Sequence, residues 1–319
     1  MMTIKRKGKW NNINISIYQH ILETKFQSTV IKIPKGSKNL GLEKYFQDNS
    51  QKEYQYLTKI IDFNDIYQSR LDKENKFCRY SEVRTYKDNK VEINSDNGYI
   101  NASWIHIPSH KSFIATQGPL ESTIENFWVM CYTYNVKVIV MLCKLDEDYK
   151  EKCANYWDTN MKNFKVEKIN DTINLTHDTK IRKFKICNLN QDLGIGDGEK
   201  IIYQIHFTCW PDHSIPENSY NEIINIIKIV DKFKDDKPVV VHCSAGIGRT
   251  GTFISVYNLY HEILEQINNR NKNEIIFSIM NLVRKLKEMR LYSVENQTQY
   301  NFLYQFVNLV LIKNNTFNE

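Results

Sequence analysis

Glycine and proline are scarce in this chain, with 11 Gly and 6 Pro among 319 residues. So few of either residue excludes a collagen-like or low-complexity chain. Hydrophobic residues make up 41% and charged residues 25%, a composition typical of a folded globular protein. No linker rich in Gly, Ser or Pro follows residue 50, and no repeat of solenoid length is present, so a single domain is expected.

The sequence also lacks the cysteine pattern of a disulfide framework or a zinc site. Its seven cysteines are an odd number, include no Cys-x-x-Cys pair and are spread through apolar segments such as residues 138–143. We therefore expect free thiols in a reducing compartment and no metal site.

Features of membrane proteins and of nucleic-acid-binding proteins are missing as well. The longest apolar run, near residues 136–143, is far too short to span a bilayer, and no apolar segment follows the basic residues at the N-terminus. The net charge of +6 suits an anionic ligand but includes no block of basic residues. The sequence thus predicts a soluble, cytoplasmic protein with no membrane span and no nucleic-acid partner.

The hydrophobic pattern alternates strands and helices, as in an α/β sheet protein. Strands are predicted at 138–142, 201–207 and 238–242, with antiparallel strands at 165–188. Helices are predicted after residue 216, after the glycines at 246–251, and at 123–134, 276–289 and 299–313. Residues 1–40 are predicted to be a partly helical N-terminal extension, with a helix near 17–26 and a turn at 34–36, and residues 41–319 to be the main domain.

The most informative segment is residues 241–251, Val-His-Cys-Ser-Ala-Gly-Ile-Gly-Arg-Thr-Gly, between a predicted strand and a predicted helix. Its glycines match the G-x-G-x-x-G pattern of a dinucleotide-binding turn. That function needs a second strand that ends in an acidic residue about twenty positions later, whereas Glu262 and Glu265 fall inside the helical pattern. A nucleotide-binding P-loop is disfavoured because Arg249 stands where that loop needs lysine.

The same segment fits a nucleophile held in an anion-binding loop. Cys243 ends the strand and Arg249 opens the helix, so the five residues between them can point backbone N–H groups at one centre: Ser244, Ala245, Gly246, Ile247 and Gly248. These groups and the helix dipole favour the nucleophilic thiolate form of Cys243. The planar guanidinium of Arg249 can hold two phosphoryl oxygens. An inert core thiol is the alternative for a cysteine alone.

Residues 242–251 resemble the signature His-Cys-x5-Arg-Ser/Thr-Gly of the phosphotyrosine-specific protein tyrosine phosphatases. Residues 210–216, Trp-Pro-Asp-His-Ser-Ile-Pro, resemble the family's mobile loop that carries a general acid. Further motifs resemble the family in the same order, at 99–103, 116–119, 140–142 and 152–157. The resemblance extends from about residue 45 to 312. It implies a single α/β catalytic domain: a twisted mixed sheet flanked by helices, with a Cys-x5-Arg phosphate-binding loop.

The resemblance implies a metal-independent, cofactor-free hydrolase that dephosphorylates phosphotyrosine in proteins and takes part in signalling. We expect a monomer. Cys243 would attack phosphorus to form a cysteinyl phosphate, and Arg249 would hold the phosphoryl oxygens. Asp212 would protonate the leaving phenol and then serve as base for water. Taken alone, the Asp212 position would be a simple turn.

Other members of the family's site are matched by single residues. By resemblance, Thr250 hydrogen-bonds the sulfur and eases departure of the thiolate, and Glu147 orients the signature arginine. His242, by the same resemblance, helps to set the loop and the pKa of the Cys243 thiol. The general-acid loop contributes Trp210 and Pro211 as supporting residues. Each of these side chains could otherwise be a satisfied core group or a solvated turn.

Residues 79–83 resemble the family's phosphotyrosine-recognition loop in altered form. Tyr80 would form the aromatic wall of a pocket too deep for phosphoserine to reach its base, unless it is simply a core tyrosine. Cys78 stands where the family usually has Asn, and Glu82 where it usually has Asp. The predicted substrate-binding residues outside the signature loop are Tyr80, Glu82, Val83 and Lys152.

Residues 294–300 resemble the family's Val-Gln-Thr-x-x-Gln-Tyr segment. Gln299 matches the second glutamine, whereas Glu295 falls on the first, which positions the attacking water in the family. A carboxylate that faces a cysteinyl phosphate suffers like-charge repulsion. We therefore expect slow hydrolysis of the phosphoenzyme, with Gln297 as an out-of-register substitute. Alternatively, Glu295 points to solvent, and Gln299 and Asp212 hold the water.

Two other functions compete with this assignment. One is an impaired domain that binds phosphotyrosine without turnover, which the intact Cys243, Arg249 and Asp212 disfavour. The other is a phosphoinositide or phosphoserine phosphatase, which Tyr80 and a signature loop without lysine disfavour.

Overall fold

A computed structural model of the chain describes residues 29–36, 42–73, 76–95, 98–107, 112–196, 198–216, 219–233, 235–269, 271 and 273–315. The strands are β1 (Ile31–Pro34), β2 (Ala102–His106), β3 (Ser112–Thr116), β4 (Val138–Met141), β5 (Asp146–Glu147), β6 (Lys150–Glu151), β7 (Phe164–Asn174), β8 (Thr179–Asn188), β9 (Glu199–Phe207), β10 (Val239–His242) and β11 (Glu274–Phe277). The α-helices are α1 (Leu42–Leu57), α2 (Asp65–Ser69), α3 (Ile124–Thr133), α4 (Tyr220–Phe233), α5 (Gly248–Asn268), α6 (Ile279–Met289) and α7 (Gln297–Asn315).

A seven-stranded mixed sheet has the strand order β2-β3-β10-β4-β9-β8-β7. The four strands β3, β10, β4 and β9 run parallel to one another, and β2, β8 and β7 add antiparallel edges. Every residue of β4 and β10 is buried, because both faces of these central strands are covered. The predicted twisted mixed α/β sheet flanked by helices is confirmed.

Helices pack on both faces of this sheet. Paired residues of neighbouring strands point to the same face, so the register puts Phe113 and Tyr203 on one side. There, Phe113 packs against Tyr257 of α5, and Tyr203 stacks on Phe233 of α4 with ring centroids 4.1 Å apart. On the opposite face, α3 packs its aromatic side chains against β8 and β10.

The register also brings together the loops that follow the parallel strands. His242 at the end of β10 lies opposite Thr116 of β3 and Met141 of β4, and Met141 lies opposite His206 of β9. Because parallel strands end at the same edge, the loops after them converge there, as in other open α/β sheets. The segments beginning at residues 117, 142, 208 and 243 therefore share one edge.

The predicted helix at 276–289 begins later than expected. Residues 274–277 form β11, which pairs antiparallel with β1, and the Ser278 side chain accepts a hydrogen bond from the Asn281 N–H and caps α6. The cap stops the helix from extending into the alternating segment before it. The predicted turn at residues 34–36 is present, but the preceding strand β1 was not anticipated. The predicted helix near residues 17–26 lies outside the described residues.

Among the described residues, no helix is both long and apolar enough to cross a bilayer.

Candidate active site

The loop after β10 surrounds the Cys243 thiol. Cys243 is 3% exposed, and the backbone N–H of Gly246 donates a hydrogen bond to its sulfur over 3.3 Å. Gly246 adopts a φ of +73°, and a Cβ there would lie 2.1 Å from the Thr116 carbonyl oxygen. Only glycine fits such a position. Helix α5 begins at Gly248 and has no side-chain cap, so its positive end faces the loop.

Arg290, which was not among the site residues predicted from the sequence, holds this loop from behind. Its guanidinium donates to the carbonyl oxygens of Gly246 at 2.6 Å and Ala245 at 3.1 Å, and to Asn101 Oδ1 at 2.9 Å. The side chain is fully buried, and burial lowers the pKa of Arg290 to about 10. The available signal was an arginine placed directly after the predicted helix at 276–289.

Arg249 is locked by a fork of acceptors. Its Nη1 and Nη2 donate to Glu147 Oε1 at 2.7 Å and Oε2 at 3.0 Å, and Nη1 also donates to the Trp210 carbonyl oxygen at 3.0 Å. Burial disfavours the charged guanidinium, but Cys243 and Glu147 outweigh this effect and raise the pKa of Arg249 above its ordinary value. The predicted Glu147–Arg249 contact is therefore present as a bidentate ion pair.

Asp212 lies over the cavity between two cations. Its Oδ1 accepts a hydrogen bond from Arg249 Nη2 at 2.8 Å, and its Oδ2 accepts one from the Lys152 ammonium. Burial raises the pKa of Asp212, but Lys152, Arg249 and the neighbouring His213 more than offset this, and the net pKa is lowered. Lys152 is thus buried against Asp212 and is not an exposed surface lysine.

The Asp212 loop is braced on its own tryptophan. Trp210 is buried, and its indole N–H donates to the carbonyl oxygen of Ser214 at 3.0 Å, while Pro211 is exposed. The next residue after Asp212, His213, adopts a φ of +51°.

Glu295 faces the cavity rather than open solvent. Its pKa is raised by burial, against the lowering effect of His213. Its backbone N–H donates to Gln299 Oε1 at 2.9 Å, and Gln299 Nε2 is buried with no hydrogen-bond partner among the described residues. Gln297, predicted as a substitute water ligand, donates instead to Asn301 on its own helix at 2.6 Å. The helical period points it away from the cavity that Gln299 lines.

One cavity of about 220 Å³ collects most of these residues. It is lined by Tyr80, Glu82, Val83, Asp212, His213, Cys243, Ser244, Ala245, Ile247, Gly248, Arg249, Glu295 and Gln299. Tyr80 stands beside the loop, with its hydroxyl 3.0 Å from Ser244 Oγ. Cys78, the other departure from the family pattern, lies 3.0 Å from the Tyr99 hydroxyl.

Two predicted site residues lie behind the cavity wall. His242 is fully buried, and its Nδ1 donates to the Cys243 carbonyl oxygen over 3.2 Å. Burial lowers the pKa of His242 to about 3, so the imidazole is neutral near pH 7. The predicted hydrogen bond from Thr250 to the sulfur is absent: Thr250 Oγ1 is buried without a partner among the described residues. The sulfur accepts a hydrogen bond from the Gly246 N–H instead.

The sequence and the fold of this chain are similar to those of known proteins. The model of the protein-tyrosine phosphatase family matches residues 74–308. Tyrosine-protein phosphatase non-receptor type 20 of Mus musculus is 33% identical over 268 residues, which cover 81% of this chain and 58% of that protein. Receptor-type tyrosine-protein phosphatase alpha of Mus musculus is 34% identical over 296 residues, 90% of this chain and 33% of that protein.

A solved structure titled "Structural basis of PTPN18 fingerprint on distinct HER2 tyrosine phosphorylation sites" has the same fold, with a TM-score of 0.72. It is 23% identical and covers 85% of this chain and 99% of its own. The chain spans 58%, 21% and 24% of the lengths of three curated relatives that it matches. Since the matched segment includes the Cys243 loop, the Asp212 loop and Glu295 together, this chain belongs to the protein-tyrosine phosphatase family.

Proposed function

We propose that this chain is a protein tyrosine phosphatase that hydrolyses phosphotyrosine in proteins through a cysteinyl-phosphate intermediate. The observation that carries the proposal is the position of Cys243 in a cavity that Arg249 and Asp212 also line. A nucleophile, an anion-binding guanidinium and a general acid thus surround a space the size of one phosphoryl group and part of the phenyl ring that carries it.

The first step transfers the phosphoryl group to the enzyme. The Cys243 thiolate attacks phosphorus, the bond to the phenol oxygen breaks, and protonated Asp212 delivers a proton to that oxygen. The charge of the equatorial oxygens is met by the N–H groups of the loop and by Arg249, which Glu147 holds in a fixed orientation. Phosphate binding displaces Asp212 from Arg249 Nη2, because both compete for the same hydrogens.

The second step hydrolyses the cysteinyl phosphate. Asp212, now ionised, takes a proton from water. Gln299 Nε2, which has no hydrogen-bond partner within the described part of the chain, offers that water a donor. Glu295 lines the same space, where an ionised carboxylate opposes both the phosphate and the approach of hydroxide. We therefore propose that the second step is slow in this protein.

The depth of the cavity selects the substrate. Tyr80 is half-buried at one side and can pack against a phenyl ring, so a phosphotyrosine spans the distance to Cys243 while a phosphoserine falls short. Glu82 is exposed at the same rim, where a carboxylate can accept backbone N–H groups of a peptide.

The partners are phosphotyrosine-containing proteins, and the site is complete within one chain, which suits a monomer. All seven cysteines are free thiols, which suits a cytoplasmic location. Both assignments are part of the proposal.

One set of assays tests this function. Initial rates are measured in chelator on phosphotyrosyl, phosphoseryl and phosphoinositide substrates, with wild type and Cys243→Ser. We expect turnover of the phosphotyrosyl substrate alone, and a Cys243→Ser variant that binds phosphotyrosine without turnover, since an alcohol lacks thiolate character but leaves the anion loop formed. Binding without turnover by wild type would instead identify a phosphotyrosine-binding domain.

A further inference from the structure

A chain of hydrogen bonds connects strand β8 to the catalytic loop. Arg182 Nη1 lies 2.7 Å from Gln204 Oε1, and Gln204 Nε2 lies 2.6 Å from the Tyr156 hydroxyl. The Tyr156 hydroxyl lies 3.0 Å from His242 Nε2, and His242 Nδ1 lies 3.2 Å from the Cys243 carbonyl oxygen. Four links thus run from an arginine on a non-central strand to the backbone of the nucleophile.

The groups at the two ends of this hydrogen-bond chain determine which atom is the donor in every link. The Cys243 carbonyl only accepts, so His242 carries its proton on Nδ1, and a neutral imidazole then leaves Nε2 as an acceptor. Tyr156 must therefore donate to His242, and its oxygen accepts from the Gln204 amide. Arginine only donates, so Gln204 Oε1 accepts from Arg182. Every link is satisfied with one set of proton positions.

The middle of the chain is shielded from water. Tyr156, Gln204 and His242 are each 0% exposed, and the Tyr156 ring lies between Phe127 and Trp157 with centroids 4.7 and 4.9 Å away. In such an environment, hydrogen bonds polarise one another, and a cation at one end strengthens the links that follow.

Arg182 makes no ion pair among the described residues. Its guanidinium packs over the Trp157 ring at 4.7 Å, and the second acceptor of Nη1 is His206 Nδ1 at 3.1 Å. His206 Nε2 in turn donates to the Cys143 carbonyl oxygen at 2.7 Å, so this imidazole is held in one tautomer as well. Partial burial of a cation without a carboxylate partner costs free energy. A functional role of Arg182 would account for this cost.

We propose that Arg182 and Gln204 are positioning residues that act through Tyr156 and His242 to favour the thiolate form of Cys243. The hydrogen-bond chain fixes the peptide group of Cys243, so the loop N–H groups stay directed at the sulfur. It also transmits the positive potential of the Arg182 cation to that peptide group. The inference rests on Cys243 as the nucleophile of the proposed function.

Other charges face the thiol directly and stay in place in the variants used below. Arg249 from α5 and Arg290 after α6 attract a thiolate, while Asp212 and Glu295 line the same cavity with negative charge. Because these nearby charges do not change, a shift in the pH midpoint of Cys243 reactivity reports the effect of the hydrogen-bond chain.

The test is the rate of Cys243 alkylation by iodoacetamide as a function of pH, followed by mass spectrometry of the Cys243 peptide. Gln204→Met keeps the size of the side chain but removes two hydrogen bonds, the one from Arg182 to Gln204 and the one from Gln204 to Tyr156. We expect the midpoint of the rate profile to move upward by at least about half a pH unit. Tyr156→Phe removes one oxygen from a well-packed ring, and we expect the same upward shift of the midpoint. This second variant keeps the test valid if Gln204→Met does not fold.

A double-mutant comparison distinguishes an effect of Arg182 that is transmitted through the hydrogen bonds from a local effect of Arg182. Arg182→Met should move the midpoint upward in the wild type but add nothing to Tyr156→Phe, because the link that carries its effect is already broken. Arg182→Lys keeps the cation and should retain part of the wild-type midpoint. The matched control is Lys183→Met, which removes the same charge one residue later on the opposite face, over Tyr203; no shift is expected.

Three results would overturn the inference: an unchanged midpoint in Tyr156→Phe, additive shifts for Arg182→Met and Tyr156→Phe, or an equal shift in Lys183→Met. Alkylation needs no substrate, so failure of the proposed function would appear separately, as absent phosphotyrosine turnover in a protein with normal Cys243 alkylation.

Discussion

His213 Nδ1 lies 3.4 Å from Glu295 Oε2, so an imidazole and a carboxylate join the Asp212 loop to the start of α7. A second contact supports the same junction, because Asn296 Nδ2 donates to the His213 carbonyl oxygen at 2.9 Å. Glu295 is thus held inside the cavity by the loop that carries the general acid, which bears directly on the second chemical step.

Replacement of Glu295 by glutamine should accelerate hydrolysis of the phosphoenzyme, since a neutral amide removes the repulsion and can hold water. Pre-steady-state measurements should show a stoichiometric burst of phenol in wild type that shrinks in Glu295→Gln as kcat rises. Gln297→Ala is the comparison variant, and its burst should equal that of wild type because Gln297 bonds within its helix. No burst in wild type, together with an unchanged kcat in Glu295→Gln, would dispose of the idea.

The Lys152 ammonium should control the pH dependence of the reaction. It helps to lower the pKa of Asp212, and the general acid must be protonated, so kcat/KM falls as pH rises through that pKa. Lys152→Met raises the pKa of Asp212 and should move the descending limb of the kcat/KM profile to higher pH. Lys150→Met removes an exposed charge nearby and serves as the control. A limb that moves equally in both variants, or toward lower pH, would contradict this role.

Loss of the Asp212 carboxylate should slow the step that expels a poor leaving group. Asp212→Ala is expected to lower kcat for phosphotyrosine by about 10²–10⁴-fold, with a much smaller effect on affinity. Dinitrophenyl phosphate expels its phenol without protonation and should lose far less. Asp212→Asn keeps the shape of the side chain and should behave like alanine. Equal losses on both substrates would show that Asp212 does not protonate the leaving oxygen.

The approach of Gly246 to β3 should make this glycine irreplaceable. Gly246→Ala and Gly194→Ala share the left-handed backbone, with φ of +73° and +63°, and so the same conformational cost of about 1–2 kcal/mol. Only Gly246 adds a backbone clash, with Thr116, whereas nothing described lies within 4 Å of a Cβ at Gly194. Urea unfolding should therefore show a larger loss of stability for Gly246→Ala. Equal losses would mean that β3 yields to the methyl group.

Local patterns in the sequence were sufficient for the central elements of the fold. Strands β4 and β10 each open with three consecutive β-branched residues, and α4 repeats its apolar residues at helical spacing, so each carries its own signal. Strand β1 and the late start of α6 were missed, because β11 is stabilised by pairing with a segment more than 200 residues earlier, which no local window contains.

The sequence by itself determined the chemistry of the site: a cysteine, five loop residues and an arginine before a helix, with Trp-Pro-Asp at a set distance upstream. Tertiary structure alone decided how those groups are supported and restrained. The bond from Arg290 to Gly246, the contact of His213 with Glu295, and the turn of Gln297 away from the cavity depend on side-chain directions and on packing between distant segments. Such contacts follow from register and helical phase in three dimensions, and spacing along the chain does not encode them.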